Sequence, residues 1–105
     1  MGSVKKKSDP ELIGLLKKGN VAAFTEIYDR HWEKTAECAY KLCRSETHTQ
    51  NILSAVFVSL WQNRESLTPD IVLADFLIKD TICRSLLIIK LKLQNTALEG
   101  QKVIL

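Results

Sequence analysis

Apolar residues recur at intervals of three and four along most of the chain, and short polar or glycine-bearing stretches interrupt them, a pattern that predicts four helices. The first is short. Ser8-Asp9-Pro10-Glu11 offers an N-cap, a proline in the first turn and acid at the positive helix end, and Leu12, Ile13, Leu15 and Leu16 follow. Lys17 and Lys18 suit the negative end, Gly19 supplies a left-handed stop, and Asn20 caps what comes next. From residue 21 to about 42, Phe24, Ile27, Tyr28, Trp32, Ala36, Ala39 and Cys43 form the buried stripe of a long amphipathic helix. Its other face carries Glu26, Arg30, Asp29 and Glu33, read as a solvated surface with i,i+4 support.

The polar stretch around Ser45-Glu46-Thr47-His48 breaks that pattern, and Thr47-x-x-Gln50 has the spacing of a capping box, so a third helix is expected to begin there. Ile52, Leu53, Val56, Phe57, Leu60 and Trp61 make its stripe. The opposite face, Asn51, Ser54, Ala55, Val58 and Gln62, is small and uncharged, where an ordinary solvated helix carries Lys and Glu. Residues 63–70 form the longest polar connection, and Thr68-Pro69 reads as a second cap followed by a first-turn proline. The fourth helix falls within 71–93. Its apolar set, Leu73, Phe76, Leu77, Ile82, Leu86, Leu87, Ile89 and Leu91, is wider than one stripe, so the helix is either centrally buried or covered by a partner. Residues 95–105 read as a weakly periodic tail broken by Gly100. The fold class expected is all-α, a compact bundle of about four helices within residues 9–94, preceded by a disordered basic terminus at 1–8 and followed by a tail or interdomain linker at 95–105.

Composition narrows the class further. A chain of 105 residues with 46% apolar and 26% charged residues holds one domain with an adequate core. Four glycines and two prolines are too few for the frequent turns of an antiparallel β architecture. The net charge of +3 is uneven: residues 1–8 carry three lysines and no acid, residues 9–75 hold seven Lys/Arg against ten Asp/Glu, and residues 76–105 hold five against two. A basic C-terminal third could face nucleic acid, and a solvated helix face has the same composition. The longest strictly apolar run, Leu86-Leu87-Ile88-Ile89, is far short of the roughly 20 residues that cross a bilayer, and no secretory signal follows the N-terminal lysines. Cys38, Cys43 and Cys83 are an odd count without C-x-x-C spacing, read as small buried residues in a reducing cytoplasm.

His31 and His48 are isolated, no glycine-rich phosphate loop or G-x-S-x-G is present, and no cysteine has an assignable basic partner. The chain therefore reads as a non-enzyme, with neither a metal site nor a cofactor expected.

The stretch ELIGLLKKGNVAAFTEIYDRHW at 11–32, with AYKL at 39–42, VFVSLWQNRESL at 56–67 and DFL at 75–77, resembles bacterial extracytoplasmic-function sigma factors, above all the Bacteroidetes-like ones. The resemblance covers roughly residues 9–90, the N-terminal (region 2) helical domain of that family. It implies a domain that binds core RNA polymerase through the clamp helices of the largest subunit and opens the promoter minus-ten element, holding its bases single-stranded. Carried over by position, polymerase contact falls on Asn51, Ser54, Ala55 and Val58, and promoter contact on Asn63, Arg64 and Ser66 of the loop with Lys79, Arg84 and Lys90. An anti-sigma factor is a further partner the resemblance implies, and the location is the cytoplasm.

Two departures go with it. Where the family reads acidic-Asp-x-x-Gln-Glu, this chain has Gln50-Asn51-Ile52-Leu53-Ser54-Ala55, and an Arg-Asn pair common in the fourth helix is replaced by Ile82-Cys83. The chain ends before any linker and second helix-turn-helix domain, as an isolated domain of a longer factor or a free-standing variant. The alternative expectation is a sigma-like helical interaction module, self-associating or binding another protein, with weakened polymerase or DNA binding.

Overall fold

Local chemistry sets each helix boundary in the computed structural model, which describes the backbone of residues 3–104 and the side chains of residues 3–94. Helix α1, Asp9–Lys17, starts in a full capping box. Ser8 Oγ accepts from the Glu11 N–H and the Ser8 N–H donates to Glu11 Oε1, both at 3.3 Å. The Ser8 N–H and the Ser8 hydroxyl, the latter at 3.0 Å, both donate to the Glu11 carboxylate and hold it below its ordinary pKa. Gly19, at φ 83°, ends the helix, and Asn20 Oδ1 accepts from the Ala23 N–H at 3.0 Å to open α2, Val21–Cys43. At the far end of α2, Arg44 takes up the left-handed conformation, φ 54°, usually reserved for glycine. Ser45 follows in extended conformation and its Oγ caps His48, so α3, Glu46–Gln62, begins ahead of the expected Thr47 cap. The reversal at Arg44 is tight enough to leave Ser45 as the first residue free to cap.

The second expected cap behaves differently. Thr68-Pro69 does not start α4. The Thr68 hydroxyl bonds the Asp70 carboxylate, and the Ile71 N–H donates to Thr68 O at 3.1 Å, which closes a turn instead. Buried Leu67 and Leu73 anchor either end of this reversal, and α4 runs from Leu73 to Ile104, continuing through Gly100 and the stretch expected as a tail. One glycine costs about 1 kcal/mol in a helix interior, and neighbours such as Ala97, Leu98 and Gln101 are good helix formers.

Helix α2 is the common wall, packing against α1, α3 and α4. The core joins Leu12, Ile13 and Leu16 of α1, Ala23, Ile27 and Ala39 of α2, the α3 stripe, and Leu73 and Leu77 of α4. Phe24, Tyr28, Phe57 and Trp61 extend it as an aromatic cluster, with edge-on ring pairs at 4.8–6.4 Å. The described helices thus form the expected all-α, four-helix bundle.

Several sequence expectations are corrected. Trp32 is 38% exposed, and Thr35, whose hydroxyl donates to His31 O, takes the buried place beside Ala36. Of the cysteines only Cys43 is buried; Cys38 is half-buried and Cys83 exposed. Residues 4–6 form a 3-10 helix rather than a frayed end, because Arg30 gathers them. Its guanidinium donates to Val4 O and Lys5 O while pairing with Glu26 at 2.8 Å and Asp9 at 3.2 Å. Glu26 and Arg30 are therefore a tether rather than a plain solvated face.

The largest correction concerns α4. Its bundle-facing positions after Leu77 are Thr81 and Ser85, both fully buried, whereas Leu86, Leu87 and Leu91 are at least half exposed and Ile82 is 37% exposed. Small residues at four-residue spacing let α4 lie close on the end of α2 near Cys43, with the large apolar side chains turned outward. The two helices run in the same direction, and Cys43 Sγ, at the end of α2, donates to Ser85 O at 3.9 Å. Beyond that level α4 runs past the end of α2. The radius of gyration is accordingly 17.2 Å, against about 13 Å for a compact chain of this length.

Replacing Arg44 by glycine should raise the unfolding free energy by about 1 kcal/mol, since only the side chain opposes the left-handed turn. Urea denaturation of Arg44→Gly beside the parent chain measures it; an unchanged or lower midpoint would contradict the assigned conformation.

Candidate functional site

With Ile52, Leu53, Val56, Phe57 and Leu60 turned into the core, helical geometry directs Asn51, Ser54 and Val58 outward, and all three are exposed, with Ala55 half-buried beside them. The four residues assigned to polymerase contact therefore share one uncharged face. A shallow groove borders it on each side. Toward α4, a groove of about 180 Å³ is lined by Asn51, Ile52, Ala55, Arg84, Leu87 and Ile88. Toward α2, one of about 350 Å³ is lined by Val21, Phe24, Val58, Trp61 and Gln62. The face can offer van der Waals contact and neutral hydrogen bonds, and at its centre it carries no group able to form an ion pair.

The loop residues assigned to promoter contact turn their polar groups inward on the loop. Asn63 Nδ2 donates to Ser59 O at 2.9 Å, and Ser66 Oγ donates to Asn63 O at 2.7 Å. Arg64 folds back over the Trp61 ring, 4.3 Å from its centroid, and one guanidinium nitrogen donates to Trp61 O at 2.9 Å. Its Nε is buried without a partner. The loop also presents Glu65 and Asp70, and the Thr68 hydroxyl holds the Asp70 carboxyl below its ordinary pKa.

The three assigned cations of α4 are not brought together. Lys79 and Lys90, about three turns apart, share the outer face away from the bundle, and both are exposed. Arg84 is rotated toward α3, paired with Asp80 at 3.1 Å, and lies in the groove with Asn51 and Ala55. It belongs spatially with the residues assigned to polymerase rather than with the loop.

Two features escape the sequence reading. One is the Val21–Phe24 wall of the groove beside Val58; Val21 is 65% exposed, and its position just after the Asn20 cap, off the core stripe, is the signal that marks it. The other is an apolar groove of about 400 Å³ between α2 and α4, lined by Cys38, Leu42, Ile78 and Ile82 with Lys34 and Lys41 at its rim. Burial there pushes the Cys38 thiol above its ordinary pKa, against the pull of the Lys41 charge. Among the described residues no group of three His, Cys, Asp or Glu side chains is placed to hold a metal ion, and no helix is long and apolar enough to cross a membrane.

No family model matches the chain, and neither a curated protein nor a solved structure matches it.

Removing the Arg64 side chain should strip one face of Trp61 of its cover and lower stability by about 1 kcal/mol. Tryptophan emission of Arg64→Ala should shift to the red relative to the parent; an unshifted spectrum would show that the guanidinium does not cover the ring in solution.

Proposed function

We propose that the chain is a sigma-type helical domain that docks on core RNA polymerase through the outer face of α3 and assists opening of promoter minus-ten DNA, acting by binding rather than catalysis. The reading draws on the resemblance at 11–32 and 56–67, and the observation that carries it is the exposed, uncharged face of Asn51, Ser54, Ala55 and Val58 with a groove at each border. In this reading the clamp helices lie along α3, their apolar side chains entering the two grooves. Such docking relies on burial and neutral hydrogen bonds, and so depends little on salt. Single-stranded minus-ten DNA passes the loop and the outer face of α4, drawn by Lys79 and Lys90, and that contact weakens with salt as counterions are released. An anti-sigma factor and a cytoplasmic location belong to the same reading.

A second reading, a sigma-like interaction module with reduced polymerase and DNA binding, is favoured by the inward-turned loop donors and by the exposed leucines of α4.

The two separate in one experiment. Binding of the chain to a purified clamp-helix fragment of the polymerase largest subunit, and to single-stranded minus-ten-like DNA, is measured by fluorescence anisotropy across a salt series. The proposal expects clamp affinity nearly flat with salt and lowered at least about tenfold by Val58→Glu, with DNA affinity falling steeply with salt and unmoved by that substitution. Absence of both interactions would overturn the proposal in favour of the second reading.

A further inference from the structure

Along α4, Ile78, Ile82, Leu86, Ile89 and Leu93 fall four, four, three and four residues apart, the spacing of a helix-pairing seam. The first two line the groove with Cys38 and Leu42 of α2; Leu86 and Leu93, at 52% and 66% exposure, continue the seam onto the stretch that outruns the bundle. The seam spans 16 residues, about 24 Å of helix. None of it is needed by the α3 face, which lies on the other flank of α4 beside Leu87 and Arg84.

We propose that this seam is a docking site for an amphipathic helix of another protein whose apolar stripe is flanked by acidic residues. The flanking charge selects the occupant. Lys34 and Lys41 rim the groove on α2, and Lys90 directly follows Ile89 at the position where paired helices place their interacting charges. Within the groove Glu37 pairs with Lys41 at 3.0 Å and leaves Lys34 unmatched there, while Asp75 lies one turn before Ile78, so the excess of positive charge rests on Lys34 and, further along, Lys90. A second copy of the chain would bring the same lysine-flanked seam against itself, and like charges facing each other across a helix pair are repulsive. An acidic helix meets the lysines favourably while burying the leucines, which combines positive charge steering with helix-in-groove recognition. The proposal is independent of polymerase docking, because it uses a different flank of α4.

The test uses the whole chain and two synthetic three-heptad peptides with Ile and Leu in the seam, one flanked by Glu and one by Lys. Fluorescence anisotropy should show the Glu-flanked peptide binding, with the Lys-flanked one weaker by at least about tenfold. Leu86→Glu and Leu93→Glu should each weaken binding to a similar degree, whereas Leu87→Glu and Leu91→Glu, on the other flank, should leave it unchanged. All four positions are half exposed or more, so circular dichroism should report an intact fold in each. The proposal is overturned by any of four results: neither peptide binds; both bind equally; Lys90→Glu abolishes binding while Leu86→Glu does not, which marks charge attraction without a seam; or the chain sediments as a dimer that Leu86→Glu dissociates, which assigns the seam to a second copy.

Discussion

The close approach of α4 to the end of α2 governs the rest of the molecule. Thr81 and Ser85 are fully buried small residues of α4, and the thiol of Cys43 at the end of α2 reaches the backbone of Ser85. Small residues allow near contact of helix backbones, but they bury little apolar area per turn, so the hold depends on the larger side chains below, Leu73 and Leu77, which share one core with Ile27 and the α3 stripe. Because the two helices run in the same direction and α2 stops at Cys43, contact with α2 ends near Ser85, while α4 continues past α3 at Ile88 and beyond. The exposed leucines past that level follow from this register.

The same constraint divides the outer surface by chemistry. Placing α2 at the centre turns the five large apolar residues of α3 inward and leaves Asn51, Ser54 and Val58 as a neutral outward face. It rotates Arg84 onto the α3 side of α4 and Ile78 and Ile82 onto the α2 side. The chain therefore presents two distinct apolar surfaces on either flank of one helix, the first uncharged at its centre with Arg84 and Asp80 paired at its edge, the second bordered by lysine. Lys79 and Lys90 occupy the ridge between them. Surfaces that differ in charge can discriminate between partners even where the buried area is similar.

Most of this fold was legible in the sequence because its signals are local. Ser8, Gly19 and Asn20 announce the ends of α1 and the start of α2, and the α3 stripe identifies its own buried face. The Thr68-Pro69 signature misled because a side-chain bond to Asp70 diverts the same residues into a turn, and nothing in the spacing separates the two outcomes. Trp32 and the leucines of α4 misled for a different reason. Hydrophobicity marks what can be buried, whereas the inward positions of α2 and α4 are set by the packing of the helices, and there Thr35, Thr81 and Ser85 are buried while Trp32 and the leucines stay exposed. Among the site residues, Asn51, Ser54, Ala55 and Val58 share a face by helical periodicity alone. Lys79, Arg84 and Lys90 do not share one face, because sequence proximity on one helix does not specify a common face, and the placement of Arg64 depended on a ring contact across a turn.

The central claim is that the contact of α4 with α2 ends near Ser85 and its core packing near Ile88, so that among the described residues Leu91 and Leu93 stand exposed beyond it. Amide hydrogen exchange of the isolated chain, followed by mass spectrometry, tests this directly. Residues 23–43 of α2 and 73–85 of α4 should exchange slowest, near the rate set by global unfolding, and residues 89–94 should exchange much faster. Equal protection of residues 89–94 and of α2 in a monomeric sample would show that the distal turns of α4 are covered by the protein itself, and the account would fail.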